Sequence, residues 1–252
     1  MFVDVHAHLC DEKFNNVKEI VENAKREKVE KIISASYNFA SCEKNLEIAE
    51  NFENVFITVG IHPENVDEIE EDYLKKIKDM VKNKKVVAIG EIGLDYHWRD
   101  DNKDLQKRIF IEQIELANGL DLPIVVHCRD AIGDTLQILK EHTPKCESLM
   151  HCYSGSIESA KEFMKLGFSF SFGGVVTFKN AKNVQEVVKN IPIERIMLET
   201  DCPYMSPEPF RGKINEPKNI PIIAEKIAEL KNIEKTKIEE ITTKNSEKMF
   251  KI

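Results

Sequence analysis

Short apolar runs alternate with amphipathic helical patterns from one end of this chain to the other. That alternation limits the folds open to it. The runs lie near Phe2–His6, Lys31–Ser36, Val55–Gly60, Val86–Glu91, Pro123–His127, Ser148–His151, Phe168–Phe172 and Arg195–Asp201. Most are β-branched or wholly apolar, as expected of strands covered on both faces. Helical patterns fall between them, near Val17–Lys28, Ser41–Asn51, Tyr73–Lys82, Leu105–Asn118, Thr135–Glu141, Ile157–Leu166 and Val184–Lys189. Each carries apolar residues at three- and four-residue spacing. The stretch from Ile220 to Ile252 reads as an eighth helix and one more. Eight such units in one α/β chain close most naturally into a (β/α)8 TIM barrel with a C-terminal helical extension. With no linker or repeat in sight, residues 1–252 read as a single barrel domain. A doubly wound open sheet is the alternative, but it offers one crevice and would not gather residues from so many strands.

The strand ends carry the chemistry. His6 and His8 close the first run, Glu91 the fourth, His127 the fifth, His151 the sixth and Asp201 the eighth. Catalytic residues of a barrel sit at the C-terminal strand ends. His6 and His8 are two apart and should point the same way. Glu91 ends an apolar run, where a carboxylate needs a cation or a salt-bridge partner. It can bridge two ions, one held by His6 and His8, the other by His127 and His151. Taken singly, each histidine also reads as a hydrogen-bonded core residue. Asp201 can hold one ion and take a proton as general base. Glu199 shares its face as a supporting contact, and Asp4 shares that of His6. Nitrogen and carboxylate ligands without thiolate suit Zn, Mn, Fe or Ni, and a carboxylate-rich half admits Mg.

Substrate contacts are expected at His62, Tyr96, Arg129 and Arg211. His62 follows the third run in Gly60-Ile-His62-Pro63. Tyr96, with His97, Trp98 and Arg99, can stack a base or sugar, or simply cover the rim. Arg211 and Lys213 flank a glycine, which suits phosphate capture or an ordinary polar loop.

Composition narrows the partners. Net charge is −8, against a broad basic surface for tight non-specific DNA binding. Two divalent ions would supply positive charge locally. The six cysteines form no CxxC pair. Cys128, Cys152 and Cys202 each follow a candidate ligand and should point to the opposite face. Buried, reduced cysteine implies a reducing compartment, most simply cytoplasm. No apolar stretch reaches the roughly 18 residues of a membrane span. The N-terminus enters a strand at once, without a secretory signal.

Together the motifs resemble the TatD family of metal-dependent deoxyribonucleases, within the amidohydrolase-like barrel superfamily. They are Asp4-Val-His6-Ala-His8-Leu, Gly60-Ile-His62-Pro63, Gly90-Glu91-Ile-Gly93-Leu-Asp95-Tyr96, Pro123-Ile-Val-Val-His127-Cys-Arg129, His151-Cys-Tyr-Ser-Gly155, Phe172-Gly-Gly174, Leu198-Glu-Thr-Asp201-Cys-Pro-Tyr204 and Arg211-Gly-Lys-Ile-Asn-Glu-Pro217. The resemblance implies a 3′–5′ exodeoxyribonuclease with two divalent metal ions (Mg, Mn or Zn), acting transiently on DNA, on single-stranded ends. By the same resemblance His6, His8, Glu91 and Asp201 bind one ion, and Glu91, His127 and His151 the other. His62 and Arg211 resemble contacts to the substrate backbone. The same site can also serve an ester or amide, as in a deacylase of D-aminoacyl-tRNA or an amidohydrolase.

Overall fold

The computed structural model describes all residues, 1–252. Eight strands alternate with helices: β1 Phe2–Ala7, α1 Val17–Arg26, β2 Val29–Ser34, α2 Phe39–Asn51, β3 Val55–Val59, α3 Tyr73–Met80, β4 Val86–Asp95, α4 Lys103–Leu120, β5 Ile124–Arg129, α5 Ile132–Glu141, β6 Ser148–Met150, α6 Ile157–Lys165, β7 Phe168–Phe172, α7 Lys182–Asn190, β8 Ile196–Leu198, α8 Ile220–Lys231 and α9 Lys235–Phe250. The strands pair in parallel in chain order, β1 to β8. The seam between β8 and β1 is closed by backbone bonds beyond the end of β8. Asp201 N donates to His6 O (2.9 Å) and His8 N to Cys202 O (2.8 Å). The expected barrel with a C-terminal helical extension is the fold found.

Two apolar clusters hold it together. The larger lies between barrel and helices, where residues such as Ile32, Ile57, Ile109, Phe163 and Phe170 are fully buried. The smaller fills the barrel interior with Val3, Val5, Ile33, Val87, Leu149 and Met197. Met249 and Phe250 of α9 join it, which explains why the chain continues past its eighth unit. Helix ends follow local signals. Asn16 and Ser156 cap α1 and α6 by accepting from the N–H three residues on. Gly167 takes φ +87° just after α6, the conformation a helix terminator favours. No helix is long and apolar enough to cross a membrane.

Two strands break the alternation of faces. Val5 points into the barrel while Ala7 and Leu9 point outward, and the register to β2 shifts between Asp4 and Ala7. Ile89 and Ile92 both face outward although three residues apart, and the register to β5 shifts between them. Such bulges re-aim side chains near sites. Here they turn His6 and Glu91 inward.

Candidate metal centre

The bulges, together with the ends of β5, β6 and β8, bring six side chains into contact. Glu91 stands in the middle. Its Oε2 lies 3.2 Å from His6 Nε2 and 3.9 Å from His8 Nε2. Its Oε1 lies 2.8 Å from His127 Nδ1 and 2.7 Å from His151 Nε2. Asp201 Oδ1 approaches His8 Nε2 at 3.2 Å and His6 Nε2 at 3.7 Å. One oxygen of Glu91 thus faces the His6–His8–Asp201 group, and the other faces His127 and His151. The His6 and His151 rings stack between the two groups, with centroids 4.0 Å apart.

Hydrogen bonds on the far sides of the rings decide which nitrogen is free. His8 Nδ1 lies 3.2 Å from the Ala35 carbonyl, which only accepts. Its proton therefore sits on Nδ1 and its lone pair on Nε2. His127 Nε2 lies 2.9 Å from Asp95 Oδ2, leaving Nδ1 for the centre. His62 runs the other way. Its Nδ1 accepts from Glu64 N (3.2 Å), so Nε2 carries a proton, 3.5 Å from Glu91 Oε1. His62 is thus a hydrogen-bond donor facing the centre, whereas neutral His8 and His127 would turn lone pairs to it.

Charge in the centre follows from this packing. Burial opposes ionisation of Glu91, but His151, His6, His62 and His127 around it hold its carboxyl well below the usual range. Burial likewise opposes a charge on His8, yet Asp201 beside it lifts the ring to about 9. Asp95 and Glu91 lift His127 to about 10 against the same burial. Burial, with His151 alongside, lowers His6 to about 4. Both nitrogens of His6 and Nδ1 of His151 are buried without a hydrogen-bond partner. Orphaned buried nitrogens are costly, and imidazole and carboxylate donors are those divalent ions take. The residues present fit such ions.

The centre opens into a cavity of about 710 Å³, walled by Tyr37, His62, Trp98, Arg129, Tyr153 and Tyr204 among others. Of the expected substrate contacts, His62 and Arg129 line it. Tyr96 does not; one residue past β4, it points to α5, and its hydroxyl donates to Asp134 (2.7 Å). Arg211 does not line it either. Its guanidinium lies over the Phe178 ring at 4.2 Å. Asp4 does not share the face of His6, because the β1 bulge intervenes. It instead accepts from Thr200 N (3.0 Å) and Thr200 Oγ1 (2.5 Å) across the seam. Cys202 is buried, and Cys128 lies 3.3 Å from Thr135 Oγ1. Cys128 and Cys152 both line the cavity, against expectation. Strand β6 has already ended at Met150, and Cys152 takes φ +44°, so strand alternation no longer applies. Glu199 is fully buried; its Oε2 accepts from Ser171 Oγ (2.5 Å) and lies 3.8 Å from His151 Nδ1. Asp95 received no role from the sequence, yet it holds His127. The signal was present: Asp95 lies four residues beyond Glu91, an even spacing that returns to one face.

A family profile, TatD related DNase, matches residues 3–251. The chain belongs to that family. It is 46% identical over 254 residues to the uncharacterized metal-dependent hydrolase YabD of Bacillus subtilis, with all of both chains covered. It is 32% identical to the uncharacterized metal-dependent hydrolase YcfH of Escherichia coli, covering 99% of this chain and 96% of that one. The crystal structure of YJJV, a TatD homolog from Escherichia coli, superposes with a TM-score of 0.95 at 28% identity, covering 100% and 98% of the two chains. The chain is thus a metal-dependent hydrolase of the TatD family, with histidine and carboxylate clusters able to hold divalent ions.

Proposed function

We propose that this TatD-family chain hydrolyses phosphodiester bonds of DNA, as a 3′–5′ exodeoxyribonuclease acting on single-stranded ends. The observation that carries the reading is the division of Glu91, one oxygen toward His6 and His8 and the other toward His127 and His151. Two divalent ions held by these groups with Asp201 would supply water ionised near neutral pH and positive charge against the phosphoryl oxygens. Asp201, 3.2 Å from His8 Nε2, would receive the proton of the attacking water as general base. His62 offers Nε2–H to a phosphoryl oxygen, which steadies the charge growing there.

The mouth of the cavity supports a substrate bearing both bases and phosphates. Cations pair with aromatic rings around it: Arg129 over Trp98 (5.2 Å) and Lys13 over Tyr204 (4.1 Å). Aromatic faces with adjacent cations suit unpaired nucleotides. On this reading residues 1–252 form one catalytic domain. Its six cysteines, none in a disulfide, fit a reducing compartment such as cytoplasm.

The test is an assay of purified protein loaded with Mg²⁺, Mn²⁺ or Zn²⁺ on end-labelled single-stranded DNA, with D-aminoacyl-tRNA in parallel. Stepwise shortening from the 3′ end is expected. Release of the amino acid with DNA left intact would overturn the proposal in favour of a deacylase.

A further inference from the structure

The hydrolytic reading gives no part to Asp95, a buried carboxylate. Asp95 ends β4 and is 1% exposed. Its Oδ1 accepts from His97 N (2.8 Å) and Trp98 N (3.1 Å), closing the turn that carries Trp98 to the cavity. Its Oδ2 faces His127 Nε2 at 2.9 Å. The turn is fixed from behind by buried Gln106, which accepts from Asp95 N (2.9 Å) and donates to the carbonyls of Asp95 and Arg99 (3.0 Å each).

We propose that Asp95 is a positioning residue that sets the tautomer of His127. An ionised carboxylate only accepts, so Oδ2 keeps a proton on His127 Nε2. The lone pair is then left on Nδ1, which faces Glu91 Oε1 at 2.8 Å and His151 Nε2 at 3.1 Å. The same carboxylate fastens the Trp98 turn, so one side chain registers the mouth of the cavity against the centre. This rests on the reading of His127 as a metal ligand.

The geometry supplies a selective variant. In Asp95→Asn the amide oxygen stays on the two backbone N–H groups, because the amide nitrogen cannot accept from them. The amide NH₂ then faces His127 Nε2, which must accept. The proton moves to Nδ1, pointing at the place where an ion would bind.

Metal titration with Zn²⁺ or Mn²⁺, followed by calorimetry, and ¹⁵N spectra of the histidine rings test this. Wild type should bind two ions with His127 protonated on Nε2. Asp95→Asn should lose about 10–100-fold in affinity for one ion, as typical for partners of ligating histidines. The emission of Trp98, the one tryptophan of the chain, should stay unchanged because the turn caps persist. A variant binding both ions like wild type would overturn the proposal. So would metal-loaded wild-type His127 carrying its proton on Nδ1, a measurement that needs no variant and stands even if Asp95→Asn misfolds. Wild type that binds no divalent ion would instead remove the reading of His127 as a ligand, and this proposal with it.

Discussion

At Glu91 the two oxygens of one side chain serve different neighbours, and the rings around it hold it ionised without any Lys or Arg within 4 Å. Asp201 is the group placed to move a proton. Asp201→Asn keeps the size and removes the base, so turnover should fall by about 10²–10⁴-fold, with an unchanged far-UV circular dichroism spectrum. Near-normal degradation of single-stranded DNA by that variant would end the assignment. The imidazoles make a second prediction. Without ions, His8 is lifted to about 9 and His127 to about 10, so both carry an extra proton at pH 7. Ligation needs neutral rings. Ion binding at pH 7 should therefore release protons, and affinity should weaken as pH falls. Calorimetry in two buffers of different ionisation enthalpy reads this directly, and net proton uptake would refute it.

At the scale of elements, the centre depends on how closely β4 approaches β5. Gly93 has φ +145°, and a Cβ there would collide with the His127 carbonyl oxygen. Gly93→Ala should cost about 2 kcal/mol or more, which for a chain of this size lowers Tm by roughly 4–8 °C. A scanning calorimetry trace like that of wild type would show that β4 and β5 can separate freely. The strands also show where the sequence was informative. Apolar and β-branched runs located all eight strands, and residue type at their ends located the six ligand candidates. Bulges do not announce themselves in such patterns. The one in β1 places Asp4 and His6 on different faces despite their even spacing. Arg211 and Tyr96 were placed by proximity to strand ends, but their directions depend on Phe178 and Asp134, partners that lie 33 and 38 residues away along the chain. Ring tautomers depend on the far-side contacts, which only the folded chain brings together.

At the scale of the whole molecule, closure rests on the seam. Asp4 accepts two hydrogen bonds from Thr200, and two ladder bonds continue beyond them. Asp4→Ala strands the Thr200 N–H and O–H in a dry interior, at about 3 kcal/mol in sum. Its Tm should drop by roughly 6–12 °C. A smaller loss, under about 1 kcal/mol, would mean that α9 and the backbone bonds suffice. Ions should stabilise the same assembly from within. At a hundredfold excess over Kd a bound ion adds about 2.7 kcal/mol. Adding a chelator to metal-loaded protein should therefore lower Tm by several degrees, and no shift would argue against ions bridging the strands.

The seam has a consequence for the life of the molecule. His8 and its partner Asp201 are 193 residues apart, so the two sides of the centre are synthesised far apart in time. A chain that stops between them thus lacks one side of the centre. The centre is whole only once the two ends of the barrel have met.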